Sequence, residues 1–403
     1  MSALEAYIVD GIRTPIGSFG GTLSTVRADD LAALVIRKLT EKQEAVPRER
    51  YADVIMGCAN QAGEDNRNIA RMSLLLAGLP WSVPGETVNR LCSSGLSAIN
   101  HACRAIKCGD GDIFIAGGVE HMTRGPWVIS KVSKPFGRDA EMFDSSFGWR
   151  FINPRMQELY GTESMGQTAE NLAEQFGIPR EDQDQFALWS QKKASAAWEN
   201  GRLSREVTAV PIPQKKGDPV IFKKDEFIKP GTTIEALSKL KPVFRANGTI
   251  TAGNASGLND GAAVTMVASG QAVKEYGLEP LARIVSTGIS GVEPRIMGIG
   301  PVYAAQQALD KAALSLDEMD LIEINEAFAA QVLACTRQWK LADNDPRVNP
   351  NGGAIAMGHP LGASGARIAY SAALELKLTN KRLALVTMCV GVGQGYAMIL
   401  EKT

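Results

Sequence analysis

The feature that most constrains the fold is an alternation of short apolar segments with longer helical runs. Residues 53–57 and 112–118 are apolar stretches that end in glycine, which predicts buried strands followed by turns. Between them, residues 93–107 place apolar side chains at helical spacing. This order of strand, helix and strand indicates an α/β fold.

The same order recurs near the C-terminus, with predicted strands at 320–324 and 382–389 around a predicted helix at 363–378. Both helices contain a Ser-Gly pair near their start, at Ser94-Gly95 and at Ser364-Gly365. Two α/β units could share this plan by chance. If the plan reflects duplication, it predicts two βαβ halves with a ligand cleft where they meet.

The middle of the chain differs from both ends, because it is rich in charge, proline, glycine and tryptophan. It also contains predicted helices at 167–177 and 180–200. So long an insertion in a compact protein is usually functional, for example as a substrate cover. A chain of 403 residues suggests two or three compact units. The predicted units are an N-terminal half (1–120 with 246–275), an inserted loop domain (121–245) and a C-terminal half (276–403).

Charge and cysteine usage narrow the functional classes. The net charge of −1 gives no general attraction to nucleic acid or to an anionic membrane. The N-terminus does not resemble a secretory signal, and no segment has 18 uncharged apolar residues, so we expect a cytoplasmic enzyme. The six cysteines form no C-x-x-C pair and no zinc-type spacing, so neither a metal site nor disulfides are expected.

Cys92 is the first candidate for chemistry, because an apolar segment ends there and a small-residue helix start follows. Backbone N–H groups and the positive end of a helix dipole would favour a thiolate and lower the pKa of the thiol. A buried structural cysteine is the competing interpretation.

Histidine is scarce, which leaves few candidates for a base that works near neutral pH. His101 lies within the predicted helix and suggests a structural role, whereas His121 follows a strand end and could face a pocket. His359 lies in a loop dense in glycine, and Pro360 fixes the backbone immediately after it. Loops carry function disproportionately, so His359 is the favoured base over a solvated surface histidine.

Two further segments place polar groups at strand ends. Cys389 closes a strand and leads into a loop with three glycines, which permits close approach of backbone to a ligand. No Gly-Lys-Ser/Thr follows this loop, which excludes a nucleotide triphosphatase. Asn325 follows another strand. Residues 250–262 are small and polar, and taken alone they predict a turn-rich connector.

Taken together, these segments closely resemble the thiolase family, in the family's order and over nearly the whole chain. The matching segments are Asn89-Arg90-Leu91-Cys92, Ala116-Gly117-Gly118-Val119-Glu120, Ala252-Gly253-Asn254-Ala255-Ser256-Gly257, Asn325-Glu326-Ala327-Phe328, Gly358-His359-Pro360 and Cys389-Val390-Gly391-Val392-Gly393-Gln394-Gly395. The resemblance implies a thiolase fold, with two similar βαβ-type halves in a five-layered αβαβα arrangement and an inserted loop domain over coenzyme A.

The resemblance also implies roles for individual residues. Cys92 would carry the acyl group as a thioester, His359 would take the proton of its thiol, and Cys389 would exchange a proton with the α-carbon of the acetyl unit. Asn325 would hold a water that stabilises the thioester oxygen together with His359. The N–H groups of Cys92 and Gly391 would form a second oxyanion hole. Residues expected to contact the coenzyme are Ser256 and Met165 at the pantetheine arm and Lys229 at a phosphate.

Some positions depart from the family pattern. Ser93 stands where many members have glycine, which could alter the turn beside the nucleophile. Ser164 stands where biosynthetic acetoacetyl-CoA enzymes commonly have histidine, which disfavours that branch. His121 occupies a position that is often serine, and Lys229 one that is often arginine.

Residues 57–68 and 147–154 resemble the branch that cleaves 3-oxoadipyl-CoA to succinyl-CoA and acetyl-CoA by a ping-pong mechanism. A distal carboxylate would require a cation near the acyl chain. The candidates are Arg124, Arg150, Arg155 and His121, and the sequence does not choose among them.

Several alternatives accompany this interpretation. An acetoacetyl-CoA or general 3-ketoacyl-CoA thiolase is one, and a non-catalytic CoA-binding relative is another. A condensing enzyme of the fatty-acid type would have Cys-His-His or Cys-His-Asn, so Cys389 favours a thiolase. The resemblance further implies a homodimer or homotetramer, with CoA and acyl-CoA as substrates and no separate cofactor.

Overall fold

The computed structural model describes residues 4–403, so the first three residues of the predicted N-terminal half lie outside the described part. The strands are β1 (Ala6–Arg13), β2 (Gly17–Ser18), β3 (Asp53–Gly57), β4 (Gly85–Val88), β5 (Ile113–His121), β6 (Trp127–Ile129), β7 (Met142–Asp144), β8 (Val210–Ile212), β9 (Val220–Phe222), β10 (Asn259–Ser269), β11 (Ala282–Gly291), β12 (Leu321–Ile324), β13 (Leu383–Val390) and β14 (Gln394–Lys402).

The helices alternate with these strands much as the sequence predicts. They are α1 (Ala28–Lys42), α2 (Ile69–Leu76), α3 (Ser94–Cys108), α4 (Pro154–Tyr160), α5 (Met165–Gln175), α6 (Arg180–Glu199), α7 (Ile234–Ser238), α8 (Gly270–Glu275), α9 (Gly300–Ala312), α10 (Ala329–Gln338), α11 (Ala354–Met357) and α12 (Leu361–Thr379). Short 3₁₀ turns lie at Thr22–Thr25, Arg48–Arg50, Leu91–Ser93, Leu203–Glu206, Pro294–Ile299 and Leu316–Glu318.

The principal sheet has ten strands and consists of two halves with the same plan. One half runs β1-β10-β5-β3-β4 and the other runs β11-β14-β13-β12. In each half the first three strands are antiparallel and the next pair is parallel. A parallel bridge from Ile322 to Val348 takes the position that β4 has in the first half. The halves join where Tyr7 and Ile8 of β1 pair with β11.

Helices pack on both faces of each half-sheet and so give the five layers that the sequence predicts. The N-terminal half-sheet packs against α1, the C-terminal half-sheet packs against α9, and α3 and α12 lie between the two. The buried faces are apolar on every layer, and each fully buried leucine or isoleucine contributes about 1.5–3 kcal/mol. This arrangement confirms the predicted fold class.

The central helices α3 and α12 cross in close contact because glycines meet there. A Cβ atom on Gly95 would lie 2.6 Å from the carbonyl oxygen of Gly362, and one on Gly365 would lie 2.4 Å from the backbone nitrogen of Leu96. Any larger residue would force the helices apart. The crossing lies near both N-termini, and it therefore brings together the turns that precede the two helices.

The insertion between β5 and β10 contains α4 to α7 and two small hairpins, β6–β7 and β8–β9. Its longest helices, α5 and α6, lie close to the predicted ranges. Buried ion pairs fasten it to the sheet, because Arg13 of β1 contacts Glu206 at 3.0 Å and Asp225 at 2.7 Å. In residues 4–403 no helix is both long and apolar enough to span a membrane.

Candidate active site

Cys92 lies in the 3₁₀ turn Leu91–Ser93, immediately before α3. The turn is held by Asn89, whose side chain accepts the N–H of Leu91 at 2.9 Å, and by Ser94, whose hydroxyl donates to the Leu91 carbonyl at 2.7 Å. Leu91 has a φ of 47°, a left-handed conformation that few non-glycine residues adopt. Strain of this kind is common at functional sites, where the surrounding contacts hold it in place.

Ser93, the departure beside the predicted nucleophile, does not disturb this turn. Its φ is −97°, a conformation that does not require glycine. Its hydroxyl is buried and donates to the Arg90 carbonyl at 3.2 Å. Serine and glycine can therefore both adopt the backbone conformation of this turn.

The prediction that the site lowers the pKa of Cys92 is wrong. Burial raises the pKa of the Cys92 thiol to about 11, although hydrogen bonds from the N–H groups of Gly391 and Cys92 itself lower it in part. The apolar surroundings therefore outweigh the backbone donors at the helix start. The resting side chain is a neutral thiol, and a base has to remove its proton before it can attack a carbonyl carbon.

His359 lies in the turn between α11 and α12 and is 4% exposed. Its backbone N–H donates to Asn259 Oδ1 at 2.9 Å, and Pro360 follows it as the residue that caps α12. The preceding Gly358 has a φ of 109°, and a Cβ there would collide with the Asn259 side chain. Glycine at 358 thus allows the turn to press against β10 and fixes the imidazole.

Contacts on both ring nitrogens define the protonation of His359. Nδ1 lies 2.6 Å from Ser364 Oγ, and the Ser364 hydroxyl itself donates to the Pro360 carbonyl at 2.9 Å. Since that hydroxyl proton is already used, Ser364 accepts a hydrogen bond from Nδ1–H, which leaves a lone pair on Nε2. Burial, and secondarily the charge of Arg367, lowers the pKa of His359 to about 3, so the ring is neutral and its unprotonated Nε2 lies 3.3 Å from the Asn325 side-chain amide.

Cys389 lies at the C-terminal end of β13 and is 1% exposed. Burial raises the pKa of its thiol well above the usual value, and the neighbouring thiols of Cys92 and Cys335 add to this effect. The end of β13 packs against the Leu91–Ser93 turn, so the two predicted cysteines lie on neighbouring segments, although they are almost 300 residues apart in the chain. A neutral thiol in this position can give a proton to a nearby carbanion and take one back.

Asn325 and Gly391 supply hydrogen-bond donors beside these groups. Asn325 Nδ2 lies 3.3 Å from His359 Nε2, and its Oδ1 is buried without a hydrogen-bond partner in residues 4–403. The Gly391 N–H points at the Cys92 thiol. Donors fixed in this way can stabilise a developing oxyanion without reorganising.

Two of the three residues predicted to contact the coenzyme, Met165 and Ser256, lie beside segments of this site. A Cβ on Gly391 would lie 3.6 Å from the sulfur of Met165, the first residue of α5. Ser256 donates to the carbonyl of Ala327, two residues beyond Asn325, through its N–H at 2.9 Å and its hydroxyl at 3.2 Å. Lys229 is exposed, and its ammonium lies 5.1 Å from the ring centre of Phe227.

Two histidines lie outside the constellation. His101 is on α3, with its ring 3.3 Å from Glu86. His121 is buried at the end of β5, where Nε2 lies 3.1 Å from the Leu23 carbonyl and Nδ1 lies 3.3 Å from Asp260 and from the Arg124 N–H. Because both ring nitrogens of His121 are engaged within the protein, it does not face a pocket as its sequence position suggested.

Sequence reasoning missed the part played by Glu120. Its buried carboxylate accepts the N–H groups of Ala59, Asn60 and Gly362, at 3.0, 3.0 and 2.9 Å. It therefore ties the segment after β3 to the first turn of α12, three residues beyond His359. A carboxyl group within an apolar strand end is the signal that could have revealed it, since a buried acid requires donors.

Glu120 also belongs to a buried group with Cys58 and Asp65, whose ligand-type atoms lie within 4.8 Å of one another. Such a group could hold a metal ion, and the sequence spacing gave no sign of it. Asp65, however, accepts the N–H groups of Gln61 and Gly63, and Glu120 is committed to the three donors above. The oxygens are already used to fix backbone, so we retain the prediction that the chemistry uses no metal.

Comparison with known proteins places this geometry in a family. Residues 6–271 match the model of the thiolase N-terminal domain, and residues 278–402 match that of the thiolase C-terminal domain. The chain is 58% identical to the 3-oxoadipyl-CoA/3-oxo-5,6-dehydrosuberyl-CoA thiolase of Escherichia coli K12, over 99% of both chains. It is 56% identical to a beta-ketoadipyl-CoA thiolase of Acinetobacter baylyi and 46% identical to an acetyl-CoA acetyltransferase of Pseudomonas aeruginosa, each over 99% of both chains.

Solved structures agree with the sequence comparison. The acetyl-CoA acetyltransferase of Bacillus anthracis superposes with a TM-score of 0.92 at 40% identity, over 99% of both chains. Human mitochondrial 3-ketoacyl-CoA thiolase gives the same TM-score and identity over the full length of both chains. The resemblance stated from the sequence motifs is thereby confirmed.

Proposed function

The chain belongs to the thiolase family and is an acyltransferase, and we propose that it cleaves 3-oxoadipyl-CoA with coenzyme A to give succinyl-CoA and acetyl-CoA. The observation that carries the substrate proposal is the 52–58% identity, over 99% of the chain, to proteins named as 3-oxoadipyl-CoA or beta-ketoadipyl-CoA thiolases. An acetyl-CoA acetyltransferase follows at 46%.

In the proposed first half-reaction, His359 Nε2 takes the proton of the Cys92 thiol and the sulfur attacks the 3-oxo carbon. The bond between C2 and C3 then breaks, and its electron pair remains on C2. Cys389 gives its proton to C2, which releases acetyl-CoA and leaves a succinyl thioester on Cys92. Cys92, His359 and Cys389 are all uncharged at rest, which supports this order of proton transfers. Each proton then moves only when the reaction develops the charge that the transfer neutralises.

In the second half-reaction, the Cys389 thiolate takes the proton of coenzyme A, whose sulfur attacks the succinyl carbonyl. The tetrahedral intermediate collapses to succinyl-CoA, and Cys92 recovers its proton from the imidazolium of His359. We propose that the N–H groups of Cys92 and Gly391 hold one oxyanion, and that Asn325, through a water, and His359 hold the other. A covalent thioester of this kind gives ping-pong kinetics.

The proposals for coenzyme contacts, location and oligomeric state follow from the same family membership. Met165 and Ser256 would contact the pantetheine arm, and Lys229 would meet a coenzyme A phosphate at the mouth of the site. We propose a cytoplasmic homodimer or homotetramer that needs no cofactor beyond its two substrates.

The test is coenzyme A-dependent thiolysis of 3-oxoadipyl-CoA and acetoacetyl-CoA by the purified protein under identical conditions. We expect a higher kcat/KM for 3-oxoadipyl-CoA. A preference for acetoacetyl-CoA would retain the mechanism and overturn the substrate, whereas no activity on either would favour the non-catalytic CoA-binding alternative.

A further inference from the structure

Arg150, in the insertion, is a half-buried cation. Its guanidinium donates to the Ser145 carbonyl at 3.1 Å, to the Asn60 carbonyl at 3.4 Å and to Asn60 Oδ1 at 3.2 Å. All three acceptors are neutral, and no carboxylate in residues 4–403 lies within ion-pair distance of it. A guanidinium has five N–H donors, so part of its capacity remains for a ligand.

The other three cations that the sequence offers for a distal carboxylate are less suited to bind it, because of their contacts or their exposure. Arg124 forms an ion pair with Glu64, with Nε 2.8 Å from Oε2. His121 has both ring nitrogens engaged within the protein. Arg155 is exposed on α4. Arg150 thus differs from the other three because it combines partial burial with an unneutralised charge.

Two chains of contacts connect Arg150 to the nucleophile. On one side, Arg150 contacts Asn60, and the carbonyl of the adjacent Ala59 accepts a hydrogen bond from the Asn89 side-chain amide at 3.0 Å. The Asn89 side chain in turn accepts the N–H of Leu91, the residue before Cys92. The guanidinium therefore lies against the segment that supports the nucleophile turn.

On the other side, the neighbouring Trp149 donates its indole N–H to the Glu163 carbonyl at 3.1 Å. Glu163 lies two residues before Met165, whose sulfur borders Gly391. The loop that carries Arg150 is thus fixed between two segments that both border the catalytic cysteine.

We propose that Arg150 binds the distal carboxylate of a dicarboxylic 3-oxoacyl-CoA and is a specificity-determining residue of this enzyme. The inference rests on the proposed function. A planar guanidinium can bind a carboxylate through two parallel hydrogen bonds, and partial burial strengthens the ion pair. A substrate with a methyl group at the same end would leave the cation unpaired, which selects against it.

The experiment compares 3-oxoadipyl-CoA with 3-oxohexanoyl-CoA, which has the same chain length and ends in a methyl group. For Arg150→Met we expect kcat/KM on 3-oxoadipyl-CoA to fall about 100-fold, mainly through KM, because binding of a remote group is lost. On 3-oxohexanoyl-CoA the expected change is less than about threefold, since that substrate makes no ion pair.

Two further variants distinguish recognition of the substrate charge by Arg150 from a structural role of that residue. Arg150→Gln keeps a donor for the Ser145 and Asn60 oxygens but removes the charge, and it should reproduce the selective loss. Arg155→Met, in the same insertion, is the matched control and should leave the ratio between the two substrates unchanged.

The outcomes distinguish this inference from the proposed function. A wild-type preference for 3-oxohexanoyl-CoA would overturn the substrate itself. A wild-type preference for 3-oxoadipyl-CoA that survives in Arg150→Gln, or an equal loss on both substrates, would overturn the role of Arg150 alone. A selective loss supports both.

Discussion

The two halves of the sheet place residues at matching positions and use them differently. Gly57 at the end of β3 and Ile324 at the end of β12 occupy matching positions, and the residues that follow them are Cys58 and Asn325. Their partners on the neighbouring strands are Gly118 and Thr387, and two residues further along lie Glu120 and Cys389. The register of the parallel pairs fixes this correspondence, with Gly57 opposite Gly118 and Ile324 opposite Thr387.

The turns before the two central helices correspond as well. Cys92 precedes α3 and His359 precedes α12, and the glycine crossing of these helices brings the turns together. One half therefore supplies the proposed nucleophile and the other supplies its proposed base. A site formed this way exists only when both halves are packed against each other.

Glu120 and Asn325, one from each half, differ in what their polar atoms are bonded to. In the N-terminal half, Glu120 is fully committed to backbone N–H groups. In the C-terminal half, Asn325 Oδ1 is buried with no partner in the described residues. Leaving a buried polar atom unpaired costs about 1–3 kcal/mol, a cost that is retained where a substrate or water uses the atom. Glu120 therefore maintains the backbone, whereas Asn325 Oδ1 is available to a substrate or a water.

Removing the nucleophile should have the largest effect. Cys92→Ala is expected to lower thiolysis about 10⁴-fold or more, since the covalent route is lost while the small side chain preserves the turn. Steady-state kinetics and a circular dichroism spectrum measure the two effects. Cys103→Ala, which replaces a buried cysteine on the helix that follows Cys92, is the control and should keep its activity. Retained thiolysis in Cys92→Ala would refute the assignment.

Removing Cys389 should still allow Cys92 to be acylated but should block cleavage of the carbon–carbon bond. We expect Cys389→Ala to lose about 10³-fold in thiolysis, because no positioned acid remains to protonate C2. Cys335→Ala removes a neighbouring buried thiol and should change kcat by less than about threefold. An unimpaired thiolysis rate in Cys389→Ala would assign the proton transfer to another group.

Asn325 and its counterpart Cys58 test the comparison at the strand ends. Asn325→Ala should lower kcat about 10²-fold, since the water that would donate to the oxyanion is no longer held in place. Cys58→Ala should leave kcat nearly unchanged and cost about 1 kcal/mol of unfolding free energy through a small cavity. Equal kinetic losses in the two variants would contradict the division of roles between the halves.

Glu120→Gln should have the smallest catalytic effect and a clear effect on stability. The new amide would direct a donor at backbone N–H groups, so we expect the free energy of unfolding to fall by about 1–3 kcal/mol, measured by urea denaturation. The activity of the folded protein should change by less than about tenfold, because Glu120 acts on the backbone and not on the substrate.

The pH dependence of stability follows from the same carboxyl group. Burial raises the pKa of Glu120 to about 7 from an ordinary value of 4.5, against the three N–H donors that lower it. Between these values the folded protein holds a proton that the unfolded chain has released, so stability decreases as pH rises from about 4.5 to about 7. Glu120→Gln should lack this contribution, and an unchanged pH slope would show that another group produces it.

The sequence was sufficient for the fold. Strand and helix periods are local properties, and β3, α3 and α12 fall close to the predicted ranges. Cys92, His359 and Cys389 could be proposed as site residues because small residues flank Cys92 and His359 and a glycine-rich loop follows Cys389.

The remaining features depend on contacts between distant residues. The tautomer of His359 depends on the Ser364 hydroxyl, and Glu120 reaches a donor 242 residues away at Gly362. The sign of the Cys92 pKa shift was mispredicted because the sequence shows the helix start but not the apolar surroundings that the fold packs around the thiol.

The measurement that tests the central claim most directly is peptide mass spectrometry of Cys389→Ala after incubation with succinyl-CoA. If the N-terminal half carries the acyl group and the C-terminal half moves the carbon-bound proton, the succinyl group will be found on the peptide that contains Cys92, although thiolysis is lost. An unmodified Cys92 peptide, or a succinyl group on a different cysteine, would contradict the account.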